Sequence, residues 1–404
     1  MIFNKKIFNK NKDDVFSIRL PDSDLIFTRY LYIKDEVRVA LLVSILKKSD
    51  DAIFWGYELF HSGFKNEFFE LIWKIYYDFF ATLNPSFETY LIKKHKEWLN
   101  QGCDTVVKKI IQNLLFRPLN TDIFFLRNIC QKFEVDIEYI NNNNTKITDF
   151  HSFRLNMEKW IETEDYRSIA QWILNDNKNM IDLQDIYNMI LDKTKNSNND
   201  NNNKNNKNNK IYEELQNYIN PNIILLTKIM TLFSKKHNLK KGRNIYFNVE
   251  PEDIVVYETI IVDDILKNYN ILENACICGI DELKQLSLFK LNRYKYELNG
   301  KYWYNWLYHA SFSPIWSKRI HMFKGYPDYF KKIIVFQQDN LEEEFHKLYG
   351  FEPDEQKRCV QEKSIMSIER KYDWKWFEKT YKKNGLFNIY EEELEEFDND
   401  GINY

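Results

Sequence analysis

Between residues 34 and 133 the sequence alternates stretches of helix-forming residues with the residues that end helices. Gly63 and Gly102 each follow such a stretch, at the position where a glycine commonly ends a helix. Pro118 ends another stretch, and Pro85 disfavours helix in the residue before it. Helices joined by two to five residues pack as antiparallel hairpins. The pattern therefore predicts a mostly α-helical protein whose helical hairpins pack as a bundle or short irregular solenoid.

Capping residues and apolar periodicity give the bounds of the predicted elements. Asn84 is predicted to be the N-cap of the fourth helix and Pro85 its first residue, because proline is favoured there. The first six predicted helices cover 37–48, 51–62, 66–83, 85 to about 102, 104 to 118, and 121 or 122 to about 133. Further helices are predicted at 149–163, 165–175, 182–195, 211–219, 221–236 and 253–272, with one short strand at 244–249.

An asparagine-rich tract divides the chain. Residues 196–210 contain ten Asn and three Lys but no apolar residue. Such a tract cannot offset its ordering entropy by burial, so it is predicted to be a disordered linker. The predicted parts are an N-terminal arm (1–33), a helical-hairpin domain (34–195), the linker (196–210), a second mostly helical or mixed, aromatic-rich domain (211–390) and an acidic tail (391–404).

Scarce glycine and a balanced charge exclude several classes of protein. Ten Gly in 404 residues argue against the glycine-rich loops of P-loop and dinucleotide-binding proteins. Lys and Arg total 57 against 60 Asp and Glu, so the net charge of −3 does not by itself indicate a nucleic-acid partner. Five irregularly spaced Cys favour a reducing intracellular setting. No signal peptide and no apolar run of ~18–20 residues is recognised, so no membrane partner is expected.

Basic residues cluster at the end of the helix predicted at 221–236. The nucleic-acid-binding candidates are Lys235, Lys236, Lys240, Lys241 and Arg243. Lysine and arginine neutralise phosphates, so such a cluster is the electrostatic signature of nucleic-acid contact. The alternative is a solvated helix end whose positive charges complement the helix dipole.

Other patterns match only parts of metal sites. They are the Cys-x-Cys at 276–278, the Glu-x-x-His pairs at 58–61 and 343–346, and the nuclease-like combination of Asp328 with the acid-x-Lys at 355–357. Structural zinc needs four ligands, and the di-iron sites of helical bundles need two further Glu. Sequences such as HExxH and Gly-x-Ser-x-Gly do not occur. No catalytic residue, metal ligand or cofactor is therefore assigned.

Three segments carry a resemblance to a known family. They are FWGYELFHSGF (54–64), LIWKIYYDFFATLNPSFETYL (71–91) and WYNWLYHASFSPIWSKRI (303–320). In these segments the chain resembles an uncharacterised protein family of the nucleocytoplasmic large DNA viruses, of the giant, mimivirus-like kind. That family has no established activity, so no active site is carried over. The resemblance implies a protein of the host-cell cytoplasm, with packaging into the virion as a further expectation.

The sequence favours a non-enzymatic helical scaffold or protein-interaction module, with other viral or host proteins as partners. The alternative function is that of a nucleic-acid-associated factor in viral replication or transcription, which uses the basic cluster at 235–243. A third interpretation is a metal-dependent enzyme such as a nuclease.

Overall fold

The fold is mostly α-helical, as the sequence predicts. The computed structural model describes residues 26–132, 150–176, 218–258, 278–280, 286–288, 305–349, 374–382, 384–392 and 394–395. These residues contain fourteen α-helices and two antiparallel two-stranded sheets. The prediction of a mostly helical fold is therefore confirmed.

Eight of the described helices precede the asparagine-rich tract. They are α1 (Lys34–Lys47), α2 (Asp51–His61), α3 (Lys65–Ile75), α4 (Phe87–Gln101), α5 (Thr105–Leu115), α6 (Asp122–Lys132), α7 (Phe150–Thr163) and α8 (Tyr166–Gln171). Two of them continue as π-helices, α3 through Tyr76–Phe80 and α8 through Trp172–Asp176. The other six described helices follow the tract: α9 (Pro221–Lys236), α10 (Val255–Glu258), α11 (Trp306–Ala310), α12 (Pro314–Met322), α13 (Asp339–Tyr349) and α14 (Trp374–Tyr381).

The strands form two short hairpins. Strand β1 (Cys278–Ile280) pairs with β2 (Leu286–Leu288), and β3 (Gly325–Asp328) pairs with β4 (Ile333–Phe336). In the second hairpin Gly325 lies opposite Phe336 and Asp328 lies opposite Ile333. The register leaves residues 329–332 as the tip of the hairpin.

Helix α1 is buried around its whole circumference. Every residue from Glu36 to Leu46 is buried, and the helix packs against α2, α5 and β1. A helix that is apolar on all sides belongs inside a protein. Lys48 ends the helix in the left-handed conformation, with φ of 61°. Its ammonium group donates to the carbonyl oxygens of Leu114 and Arg117 at 2.9 and 2.7 Å, so it also caps the end of α5.

Glycine ends the helices where the sequence places it, but the start of α4 differs from the prediction. Gly63 has φ of +93° and Gly102 has φ of +64°, the conformation that favours glycine.

Asn84 is not the N-cap of α4, which begins two residues later than predicted, at Phe87. The Asn84 amide instead donates to the carbonyl oxygen of Phe80 at 2.7 Å. It therefore satisfies the end of the preceding π-helix rather than the start of the next helix.

A buried ion pair holds the π-helix after α3 against α6. Asp78 accepts hydrogen bonds from Nε and Nη2 of Arg127 at 3.2 and 2.9 Å. Both side chains are buried. Two parallel bonds to a carboxylate set both distance and orientation, so this pair determines how α6 packs on the π-helix.

Residues 244–249 form no strand, contrary to the prediction. Within the part of the chain that the structure describes, they have no regular secondary structure. Tyr246 packs on Tyr90 of α4, and Phe247 packs on Phe116 beyond α5. The alternation that suggested a strand thus reflects packing on helices, where no neighbouring strand completes a ladder. Of the helix predicted at 253–272, residues 253–254 end a 3-10 helix (Pro251–Ile254) and residues 255–258 are α-helical. Residues 259–272 lie outside the described residues, as do 182–195, the predicted linker at 196–210, and 211–217.

The hydrophobic core includes residues from both sides of the asparagine-rich tract. The clearest link joins the segment 26–33 to α12. Nε1 of Trp316 donates to the carbonyl oxygen of Thr28 at 2.8 Å. Nη1 of Arg319 donates to the carbonyl oxygen of Arg29 at 3.4 Å. Residues almost 290 positions apart are therefore in direct contact inside the protein.

Candidate nucleic-acid interface

The five predicted site residues lie together at the end of α9 and in the loop that follows it. We refer to residues 235–243 as the basic segment. Lys235 and Lys236 occupy the last turn of α9, and Lys240, Lys241 and Arg243 follow in the loop. All five side chains are exposed, and the segment contains no acidic residue. The segment is thus a continuous run of accessible positive charge.

One acidic side chain partly neutralises the start of the basic segment. Glu164 accepts from the ammonium group of Lys236 at 2.6 Å and lies 2.8 Å from Nε2 of His237. Hydrogen bonds from these partners lower the pKa of Glu164, although its partial burial opposes them. Desolvation, and then the positive charge of Lys235, lower the pKa of Lys241. The smaller part of this shift is repulsion between Lys235 and Lys241, which a bound anion would relieve.

A close backbone approach fixes the basic segment on the protein. The N–H of Gly242 donates to the carbonyl oxygen of Leu83 at 3.0 Å. A Cβ atom at Gly242 would lie 1.8 Å from Oδ1 of Asn84 and 3.3 Å from Cδ of Pro118. Only glycine fits this contact. The segment therefore lies directly over the loops that connect α3 to α4 and α5 to α6.

The buried side chain of Arg117 also holds the backbone at the end of the basic segment. Its guanidinium group donates to the carbonyl oxygens of Arg243 and Ile245 at 3.3–3.4 Å. The same group lies 4.3 Å from the ring centre of Phe87 and 5.1 Å from that of Tyr246. Burial lowers the pKa of Arg117, while the neighbouring Tyr246 opposes the shift. This side chain is only 4% exposed, so it positions the exposed residues above it rather than contacting a ligand.

Two exposed aromatic rings adjoin the basic segment, and sequence reasoning did not single them out. Phe116 is 68% exposed and its ring centre lies 4.5 Å from that of Phe247. Tyr246 is 41% exposed and is stacked on Tyr90 at 4.4 Å. Each ring is supported on one side by another aromatic ring and keeps solvent-accessible surface. A run of aromatic residues directly after a basic cluster was the available signal, but it was interpreted as a strand.

A second exposed apolar surface is the tip of the β3–β4 hairpin. Phe330 is fully exposed, and Tyr326 and Tyr329 are both about half exposed. Asp328 accepts from the backbone N–H groups of Phe330 and Lys331, both at 3.0 Å, so its side chain fixes the turn. The carboxylate that the nuclease interpretation required is therefore committed to the hairpin, and residues 355–357 lie outside the described residues.

The other metal-type patterns form no site among the residues that the structure describes. Glu58 accepts from Arg29 and from the backbone of Tyr30, which occupies both of its oxygens. Glu343 is exposed on α13. Cys276 lies outside the described residues, and Cys278 begins β1. Within the residues that the structure describes, no three His, Cys, Asp or Glu side chains come together in a way that could hold a metal ion.

Among the described helices, none is both long enough and apolar enough to span a bilayer. Comparisons with protein-family models, with curated proteins and with solved structures find no match for this chain.

Proposed function

We propose that the chain is a non-enzymatic nucleic-acid-binding protein that contacts phosphates through the basic segment. The observation that carries this proposal is the placement of five exposed cationic side chains on one loop and helix end. The contacts of Gly242 and Arg117 hold the backbone of this loop in place. Because these cations are already held in position, a polyanion can bind them without the entropy cost of ordering a loop.

The proposed setting is viral replication or transcription in the cytoplasm of an infected cell. Support comes from the resemblance of three segments to proteins of giant DNA viruses. The abundance of Asn and Lys, 45 of each, is consistent with the AT-biased coding of a viral genome of this kind. The basic segment recognises phosphate, a group common to all nucleic acids, so it favours binding without sequence preference.

Salt dependence tests the proposal. Lys235, Lys240, Lys241 and Arg243 remain for phosphate contact, since Lys236 is paired with Glu164. Four phosphate contacts predict that binding to a single strand weakens about 50-fold between 50 and 200 mM salt. The double variant Lys240→Glu/Lys241→Glu is expected to bind at least about tenfold more weakly and to show a salt slope shallower by about 1.4. Fluorescence anisotropy with a labelled oligonucleotide measures both quantities.

The matched control is Lys318→Glu/Lys347→Glu, which makes the same change of charge on exposed positions of α12 and α13. We expect this control to keep nearly the affinity and the salt slope of the wild type. Wild-type binding that does not depend on salt, or equal losses in the two double variants, would refute phosphate contact at the basic segment.

A protein-interaction scaffold is the second proposal, and the β3–β4 hairpin favours it. Phe330 and its aromatic neighbours present apolar surface on a turn that Asp328 holds in one conformation. Exposed apolar groups on an ordered element are typical of surfaces that bind other proteins. The proposed partners are other viral or host proteins.

Co-purification of the tagged protein from infected cells, compared between the wild type and Phe330→Glu, tests the scaffold. A partner held by the hairpin tip is expected to be depleted at least severalfold with the variant, because a charge is then buried in an apolar contact. The control is Leu99→Glu, since Leu99 is 56% exposed on the remote α4. An identical set of captured proteins for all three chains would count against the hairpin as the docking surface.

A further inference from the structure

We infer that the surface formed by the basic segment, Phe116 and Tyr246 binds single-stranded nucleic acid by stacking unpaired bases on these two rings. This inference rests on the proposed nucleic-acid function and specifies the form of nucleic acid that is bound. Phe116 and Tyr246 are the contact residues that lie outside the basic segment.

Both rings of the proposed surface are exposed to solvent. Phe116 is 68% exposed, although phenylalanine is among the residues most often buried. It lies beyond the C-terminal end of α5 and packs on Phe247 with a ring distance of 4.5 Å. Tyr246 packs on Tyr90 with an angle of 26° between the ring planes. Both rings are thus held in place from one side while offering surface to a ligand.

Charge and ring follow one another along one short stretch of chain. Lys240, Lys241 and Arg243 come just before Tyr246, and each residue of an extended chain advances it by about 3.3 Å. The cations and the ring therefore lie within about 20 Å of one another along the chain. Phe116 adjoins this stretch because Arg117, the next residue, donates to the backbone of Arg243. A strand of nucleic acid can contact cations and rings together over a few nucleotides.

The combination of aromatic rings and cations is typical of surfaces that bind single strands. Single-strand-binding proteins combine a positively charged path for the backbone with aromatic rings on which bases stack. In a duplex the faces of the bases are stacked on one another and cannot reach a surface ring. The guanidinium group of Arg117, 5.1 Å from the ring centre of Tyr246, adds positive charge next to this ring. Rings beside cations therefore select single strands, whereas cations alone bind any polyanion.

Three ligands of equal length separate stacking from charge: a 16-nucleotide single strand, the same strand with abasic sites throughout, and a 16-base-pair duplex. The single and abasic strands carry the same phosphates. We expect the wild type to bind the single strand at least about tenfold more tightly than the abasic strand, since stacking contributes about fivefold or more per base. Phe116→Leu/Tyr246→Leu should lose this preference while its affinity for the duplex stays unchanged.

The control variant is Phe330→Leu, which removes a fully exposed ring from the distant hairpin and should retain the preference. Phe116→Leu alone is a second variant. The Phe116 side chain is mostly in solvent, so the protein should keep its fold. This variant should lose part of the preference for the single strand over the abasic strand. If the wild type binds the single and abasic strands equally, or Phe116→Leu/Tyr246→Leu retains the preference, stacking is refuted while salt-dependent binding still supports the proposed function. If no ligand binds at 50 mM salt, the proposed function itself is refuted.

Discussion

Replacing Glu58 by alanine is expected to lower the free energy of unfolding by about 3–5 kcal/mol, because it leaves a buried positive charge without its partner. Glu58 is fully buried, and its Oε2 accepts from Nε of Arg29 at 2.8 Å. Its Oε1 accepts from the backbone N–H of Tyr30 at 3.0 Å. The change therefore leaves the charge of Arg29 without its counter-ion, and Nε of Arg29 and the backbone N–H of Tyr30 without their acceptor. Urea denaturation followed by circular dichroism measures the loss.

A double variant separates the ion pair from simple packing. Arg29→Met/Glu58→Leu replaces both charges by apolar groups of similar size, so it should be more stable than Glu58→Ala. The control is Glu391→Ala, which breaks an exposed ion pair with Lys375 and is expected to leave the unfolding transition in place. A Glu58→Ala protein that unfolds at the same urea concentration as the wild type would show that this pair does not hold the segment 26–33 against α2.

Replacing Trp73 by alanine is expected to cost about 3–5 kcal/mol, the usual cost of truncating a large buried aromatic residue. Trp73 is fully buried in α3, with the rings of Tyr76 and Tyr77 about 6 Å away. Its Nε1 donates to Nδ1 of His95 at 3.1 Å. Burial lowers the pKa of His95 to about 4, so this ring is neutral at pH 7 and its Nδ1 can accept the bond. The variant therefore leaves both a cavity and an unsatisfied nitrogen.

The Trp73→Phe variant distinguishes these two losses. It keeps most of the ring volume but removes the donor, so about 1–3 kcal/mol is expected from the unsatisfied His95 alone. Phe330→Ala is the control, because its side chain is fully exposed and its removal should not change the melting temperature. Thermal unfolding of the three variants measures the differences. A Trp73→Ala variant that melts like the wild type would mean that the cavity collapses without cost.

Sequence signals that act locally predicted the fold well. Pro221 begins α9 and Lys236 ends it, as predicted, because proline at a helix start and basic residues at a helix end are local preferences. The prediction for residues 149–163 agrees with α7 within one residue. The conversion of α3 into a π-helix at Tyr76 was not predictable, since it depends on how five consecutive buried side chains fit the core around them.

Only the charged residues of the candidate site could be predicted from the sequence. Charge is a property of single residues, so the five cationic residues could be named directly. The exposure of Phe116 and Tyr246 depends on which helices lie beneath residues 244–249, and aromatic residues in a sequence are more often core than surface. The role of Asn84 also depended on a distant contact, because its amide donates to the carbonyl oxygen of Pro118 as well as to the preceding π-helix.

The hydrogen bond from Trp316 to Thr28 has a consequence for biosynthesis. Its two ends are separated by 288 residues, which a ribosome adds in about 15–60 s at 5–20 residues per second. The ion pair between Arg29 and Glu58 spans only 29 residues and can form soon after both have left the ribosome. Helices α1 and α2 can thus pair early, whereas the carbonyl oxygen of Thr28 cannot accept its hydrogen bond until Trp316 has been synthesised. During that interval the apolar surface that α12 covers in the folded protein has no partner on the nascent chain.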